Sequence, residues 1–185
     1  MEPLAIHRAP GQLELVRALI NTKNIEADGE EWQTSEDLRA WLVAHELLRG
    51  DHPLREADLS RMQQFREALR SLLRANNGHP LAAGSTAALQ DLIGTATLQV
   101  VFEETGDARL EPAAGGVDGV IGRIMGVIVA AMHEGTWPRL KACFNDGCQW
   151  AFYDISKNRS GRWCATTICG NRLKARAYRA RRRSE

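Results

Sequence analysis

Cys143-Phe144-Asn145-Asp146-Gly147-Cys148, fifteen further residues, then Cys164-Ala165-Thr166-Thr167-Ile168-Cys169: this stretch decides how the chain is built. It holds all 4 cysteines of the protein. Each C-x4-C pair can grip an ion from one turn, and two pairs supply the four thiolates of a tetrahedral Zn2+ at Zn–S of about 2.3 Å. Gly147 and Gly170 lie beside the second ligand of each pair, where a positive φ is expected to turn the backbone around the metal. Two disulfides, or an iron–sulfur cluster on the same ligands, are the alternatives. Met1 to Ile20 carries Glu2 and Glu14 and has no continuous apolar segment of a secretory signal, so the expected compartment is the cytoplasm, which disfavours disulfides. Ligand number and compartment favour one zinc. Four cysteines fill its coordination sphere, so the ion is read as structural.

Between the pairs, Trp150, Phe152 and Tyr153 can supply the small apolar core that so short a segment otherwise lacks. Trp163, next to a ligand, is assigned to that core rather than to base stacking. After the last ligand, Asn171 is expected to cap a helix with Leu173, Ala177 and Ala180 on one face and Arg172, Arg176, Arg179 and Arg183 on another. From Lys141 onward there are 11 Lys and Arg against 3 acids, leaving 13 bases and 20 acids in residues 1–140. The net charge of +1 therefore hides an acidic body with a basic tail. Such a tail suits a polyanion. The candidate phosphate contacts are Lys157, Arg159, Arg162, Arg172, Lys174, Arg176, Arg179, Arg182 and Arg183.

Upstream, the pattern is mostly helical. Leu13, Val16, Leu19 and Ile20 form one stripe that Asn21-Thr22 ends. A second helix begins near Thr34-Ser35, places Glu36 and Asp37 in its first turn, buries Leu38, Trp41, Leu42, His45 and Leu48, and stops at Gly50. Pro53 opens a third, with Leu59, Met62, Phe65, Leu69, Leu72 and Leu73 on its apolar face and Asn77-Gly78 as its stop. A shorter helix spans Ser85 to about Ile93. The period then changes: Thr95 to Glu103 and Ala108 to Glu111 read as a hairpin around Thr105-Gly106-Asp107. Val117, Ile121, Ile124, Ile128 and Ala131 return to helical spacing, and Gly135 and Pro138 close that helix.

The predicted fold class is α+β: a mostly helical domain over residues 1–138 with a small antiparallel hairpin, followed over 139–185 by a four-cysteine finger ending in a basic helix. With 185 residues, 44% hydrophobic and 25% charged, the chain is a water-folding globular protein without room for several large cores. Its longest apolar stretch, Val117 to Met132, is broken by Asp118 and Arg123 and is too short for the roughly 18 to 20 residues of a membrane span. His7, His45, His52, His79 and His133 show no ligand spacing among themselves. No Ser-His-Asp order, phosphate-binding glycine loop or HExxH helix is present, so a non-enzyme is expected. Asn21, Thr22, Trp41 and His45 are candidates to line an effector pocket, which would make the protein a one-component sensor.

Residues 143–183, above all Trp163-Cys164 and Cys169-Gly170-Asn171-Arg172, closely resemble the CGNR zinc finger; ligand spacing, Phe152-Tyr153-Asp154, Ser156 and Asn158-Arg159 agree with it as well. Upstream, Leu13 to Asn21-Thr22, Leu38-Arg39-Ala40-Trp41-Leu42 and Arg66-Glu67-Ala68-Leu69-Arg70 resemble the ABATE domain that normally precedes that finger. Ala165-Thr166 stand where the family usually has Ser-Met, and Lys157 where Arg is common, which leaves the ligands intact and changes the contact surface. The resemblance implies a bacterial stress-induced transcription regulator whose finger binds nucleic acid, with DNA favoured and RNA as an alternative. One finger is a small footprint, so a homodimer would help it reach useful affinity, and the candidate pocket would take a small-molecule effector. A protein-interaction adaptor, its basic helix docked on an acidic partner, is the rival.

Overall fold

The computed structural model describes residues 8–81, 83–172 and 182. Helix α1 (Leu13–Asn21) buries Leu13, Val16, Leu19 and Ile20, the stripe read from spacing. A two-residue ribbon follows, β1 (Lys23–Asn24) paired antiparallel with β2 (Gly29–Glu30). Helix α2 (Ser35–Ala44) is fixed at its start by a capping box: Thr34 Oγ1 accepts from the Asp37 N–H, and Asp37 accepts from the Thr34 N–H. It ends earlier than Gly50. The Glu46 N–H bonds to the Val43 carbonyl and the Leu47 N–H to the Leu42 carbonyl, a Schellman stop formed with Glu46 at φ 56°. Glutamate rather than glycine holds the left-handed position there, which hides the stop from a search for glycine. Of the residues expected to be buried on this helix, Leu38 and Leu42 are, while Trp41 and His45 are half-buried.

Helix α3 (Glu56–Asn76) is the centre of the fold. It begins three residues after Pro53, because the Asp58 carboxylate captures the Arg55 N–H at 2.8 Å and sets the first turn there. Leu59, Met62, Phe65, Leu69 and Leu73 are buried along it, and so are Arg66 and Arg70. Its end is the expected one: Gly78 takes φ 88° while the Gly78 and His79 N–H groups return to the Ala75 and Arg74 carbonyls.

Helix α4 (Ser85–Ile93) leads to the hairpin of β3 (Leu98–Phe102) and β4 (Ala108–Pro112), paired in register Val100↔Leu110. Leu98 packs on helix α5 (Gly116–His133) where Gly122 and Gly126 leave room for it. Farther out the hairpin leaves the core, and Val100, Phe102 and Leu110 are exposed. By length and composition α5 passes as a membrane span, but half of it is buried inside the protein, its Val120, Ile121, Ile124 and Ile128 filling the core.

A turn of 3-10 helix at Trp137–Arg139 then enters a third strand pair, β5 (Leu140–Ala142) with β6 (Ala151–Tyr153), which sequence reading left without strands. Leu140, Ala142 and Ala151 belong to the same apolar cluster as the helices. The base of the cysteine segment is thus built into the helical core. Beyond it the cysteines, with Trp150, Trp163 and Ile168, form a separate small cluster.

Candidate metal centre

The first cysteine pair sits at the tip of the β5–β6 hairpin. The Asn145 carbonyl accepts from the Cys148 and Gln149 N–H groups at 2.8 and 3.0 Å, and the Cys143 N–H bonds to the Trp150 carbonyl at 2.9 Å. The chain turns with Gln149 at φ 51°, whereas neither Gly147 nor Gly170 has a positive φ, contrary to the expectation for both. Gly170 instead lies close against a ring. A Cβ there would lie 3.2 Å from Cδ1 of Trp163.

The second pair is carried by a single helical turn, Thr166–Gly170, opened by the Ala165 carbonyl, which accepts from the Ile168 and Cys169 N–H groups. Helical backbone therefore starts before the last ligand and already includes Asn171 and Arg172. Asn171 is not the cap expected of it: its side chain donates to the Thr167 carbonyl at 3.0 Å, because Cys169 must ride on that turn to aim its sulfur inward.

Folding brings the four sulfurs within 4.8 Å of one another. The Cys148–Cys164 and Cys164–Cys169 separations are both 3.7 Å. Two thiolates on one tetrahedral zinc at about 2.3 Å stand roughly 3.8 Å apart, so the donor set fits the ion. Cys143, Cys148 and Cys169 are buried and Cys164 is half-exposed. As a set of thiols the cluster is electrostatically divided: hydrogen bonds from Cys148 and Cys164 hold Cys143 far below the ordinary thiol value. Sharing with Cys143 pushes Cys148 up to about 12, and Cys143 and Cys148 together with burial raise Cys164 further. A divalent cation removes that conflict by taking all four as thiolates.

Two families match the sequence: the CGNR zinc finger over residues 139–182, and ABATE, described as "Putative stress-induced transcription regulator", over residues 13–132. The chain belongs to the ABATE family. The ABATE match takes in well over half of its length, and the finger match contains all four cysteines. No curated protein matches it. In this ABATE protein Cys143, Cys148, Cys164 and Cys169 are thus able to hold one zinc ion, which four thiolates would leave with no open position for chemistry.

A buried ion pair underlies the second pair of ligands. Lys141 Nζ lies 2.7 Å from Asp154 Oδ2 and also donates to the Arg159 and Gly161 carbonyls at 2.6 and 3.0 Å; both side chains are almost fully buried. Asp154 in turn accepts from the Ser156 and Gly161 N–H groups. Burial alone would raise the Asp154 carboxyl, but the hydrogen bonds from Lys141 and Ser156 outweigh it and hold the group below its ordinary range. Gly161 is closed to any side chain, since a Cβ would stand 2.6 Å from Asp154 Oδ1. This knot fixes loop 154–161, which delivers Trp163 and Cys164.

Polar side chains from α1 and α3 hold the finger from below. Asn77 Nδ2 donates to the Ala142 and Arg162 carbonyls, and Asn76 Nδ2 to those of Trp137 and Leu140. Arg70 donates to the carbonyls of Ile20 and of Gln149, directly after Cys148. Arg74 pairs with Asp146 inside the first knuckle. Sequence reading gave Lys141, Asp154, Arg70 and Asn77 no part in supporting the cysteine cluster. A signal existed for Arg66 and Arg70, which fall on the apolar stripe of α3 where a charge needs buried partners.

The residues singled out for phosphate contact divide. Lys157, Arg159 and Arg162 are exposed on the loop between β6 and Trp163. The Arg162 guanidinium lies 3.5 Å from the centroid of the Phe144 ring. Arg172 forms an ion pair with Glu26 at the β1–β2 turn. Arg182 is exposed; Lys174, Arg176, Arg179 and Arg183, with the face Leu173, Ala177 and Ala180, lie outside the described residues.

The residues suggested to line a pocket are engaged by protein groups. Asn21 is bonded to Ala151, and Thr22 Oγ1 donates to the Leu19 carbonyl and accepts from Arg66. Trp41 stacks on His45 with ring centroids 3.8 Å apart, and meets Trp32 edge-on at 5.4 Å.

Proposed function

We propose that this protein is a cytoplasmic transcription regulator whose zinc finger contacts nucleic acid, DNA in the first instance, through Lys157, Arg159 and Arg162 together with the basic residues that follow Arg172. One observation carries the reading. Among the described residues these three exposed cations have no carboxylate partner, whereas Arg139, Lys141 and Arg172 face protein oxygens: Arg139 the Asp154 and Ser156 carbonyls, Lys141 the buried Asp154, Arg172 the Glu26 carboxylate. Cations left facing solvent beside a rigid zinc knot can neutralise phosphates at little ordering cost.

In this reading residues 1–138 sense a signal or associate with a second copy, and residues 139–185 make the contact. A pair of fingers would reach useful affinity through effective concentration. No residue is assigned a catalytic role.

The test is anisotropy of labelled random-sequence duplex DNA with the zinc-loaded full chain at two salt concentrations. Wild type should weaken steeply with salt, and Lys157→Glu/Arg159→Glu/Arg162→Glu should reduce the salt slope by about 1 for each phosphate that is no longer neutralised. An unchanged slope in the triple variant overturns the assignment. Absence of duplex binding even at low salt would favour an adaptor for an acidic protein.

A further inference from the structure

A groove of about 360 Å3 runs beside the zinc ligands, lined among others by Tyr153, Ile155, Ser156, Trp163, Thr166 and Thr167. Its size falls in the range of small-ligand clefts, about 300–1,000 Å3. Its wall combines three aromatic side chains, of which Phe152 is buried, with four hydroxyls and the exposed apolar side chain of Ile155. The one acid in its wall, Asp154, repels nothing, because Lys141, Ser156 and Gly161 occupy its oxygens.

The position of the cations gives the groove a direction. Loop 157–162, with Lys157, Arg159 and Arg162, starts at the Ser156 wall and returns at the Trp163 wall. A phosphate chain lying on that loop has its bases within reach of the groove. Aromatic faces flanked by cations are the recipe by which single strands are held, since every unpaired base has a π face and every linkage a charge. A duplex turns its phosphates outward and keeps its bases stacked inside, so it can use the loop but not the groove.

We propose that this groove takes an unpaired nucleobase of a single-stranded nucleic acid whose flanking phosphates rest on loop 157–162. The inference rests on the nucleic-acid reading above and narrows its substrate. The hydroxyls of Thr166 and Thr167 supply hydrogen bonds to a base edge or, in RNA, to a 2′-hydroxyl, while that of Ser156 is held within the loop, where it accepts from the Ser160 N–H.

The test compares the zinc-loaded full chain against oligo-deoxythymidine, oligouridine and a duplex with the same number of phosphates, at one salt concentration. At least one single strand should bind about tenfold or more tighter than the duplex. Tighter binding of oligouridine than of oligo-deoxythymidine identifies RNA as the source, and equal binding identifies base and phosphate alone. Ala165→Phe, which plugs the groove, should remove the preference and leave duplex binding unchanged. Ile155→Ser, at an exposed position, should reduce it without touching the fold, and zinc content is measured for both. Photocrosslinking of 5-iodouracil in the oligonucleotide should map to residues 153–167, a readout that a purely structural role for these residues would not produce. Duplex binding as tight as single-strand binding, with crosslinks elsewhere, overturns the groove and leaves the cationic loop standing. Failure to bind any of the three removes both.

Discussion

Asn21, the last residue of α1, and Ala151 in β6 hold each other by two hydrogen bonds: Asn21 Nδ2 donates to the Ala151 carbonyl at 2.9 Å, and the Ala151 N–H donates to Asn21 Oδ1 at 2.8 Å. Both groups are buried, so water cannot replace either bond. Asn21→Ala should cost about 2–4 kcal/mol, since it leaves a buried donor and a buried acceptor unpaired. In a protein of this size that corresponds to a fall in Tm of roughly 5–10 °C. Asn21→Asp keeps the acceptor, loses the donor and buries a charge, and should be no better. A melt within a degree of wild type for both would show that the amide pair is replaceable.

The Lys141–Asp154 pair predicts an asymmetric pair of variants. Lys141→Met leaves a buried carboxylate without its cation and should cost about 3–5 kcal/mol. Adding Asp154→Asn to it should recover part of that loss by removing the unpaired charge, which a double-mutant cycle in denaturant would measure. The pH dependence has a definite sign. Because Asp154 is held below the ordinary carboxyl value, its contribution is full above that value and is lost as pH falls through the lower folded one. Below about pH 4, stability should therefore fall more steeply in wild type than in Asp154→Asn. Parallel acid curves would contradict the assignment.

Zinc removal should loosen a unit smaller than the matched finger. Leu140, Ala142 and Ala151 are packed in the helical core, whereas the segments carrying the ligands depend on the ion. After chelation, or in Cys164→Ser, hydrogen exchange should rise over residues 143–149 and 162–172 while α3, α5 and the β5–β6 pair keep their protection. Collapse of protection throughout α3 would mean that the metal stabilises the whole core.

Metal affinity should rise with pH. Sharing with Cys143 raises the Cys148 thiol, and Cys143, Cys148 and burial raise that of Cys164; zinc must displace those protons. Competition against a chromophoric chelator at about pH 6 and about pH 8 should show tighter binding at the higher value, with proton release detectable in weakly buffered solution. A flat profile would indicate that the sulfurs are already ionised before the ion arrives.

Glu46 offers a gain. It holds φ 56° at the end of α2, and its side chain makes no hydrogen bond among the described residues, a conformation that costs an L residue about 1 kcal/mol more than glycine. Glu46→Gly should raise the denaturation midpoint by a corresponding amount. A loss of stability instead would show that the Glu46 side chain contributes elsewhere.

Particular elements show where sequence reading reaches and where it stops. The apolar stripes of α1, α3 and α5 and the Asn77-Gly78 stop were legible because helical period and a glycine C-cap are local properties. The early end of α2 was not, since Glu46 carries no residue-type signal for a left-handed turn. Strands β5 and β6 were missed because three residues on each side of a metal knuckle are too few to display a period. Gly170 was expected to supply dihedral freedom, but its φ is not positive, and what crowds the position is the Trp163 ring, a relation the sequence does not display.

By itself the sequence singled out the four cysteines that folding brings together, because each C-x4-C pair places two thiols within a turn, and it determined which residues of each long helix are apolar. Only the tertiary structure decided what the buried polar residues do. Asn21 reaches a strand 130 positions away, Asn77 a carbonyl 85 positions away, and Arg70 a carbonyl 79 positions away beside a metal ligand. A buried donor must find an acceptor wherever the packed chain supplies one, and residue type states the need without naming the partner.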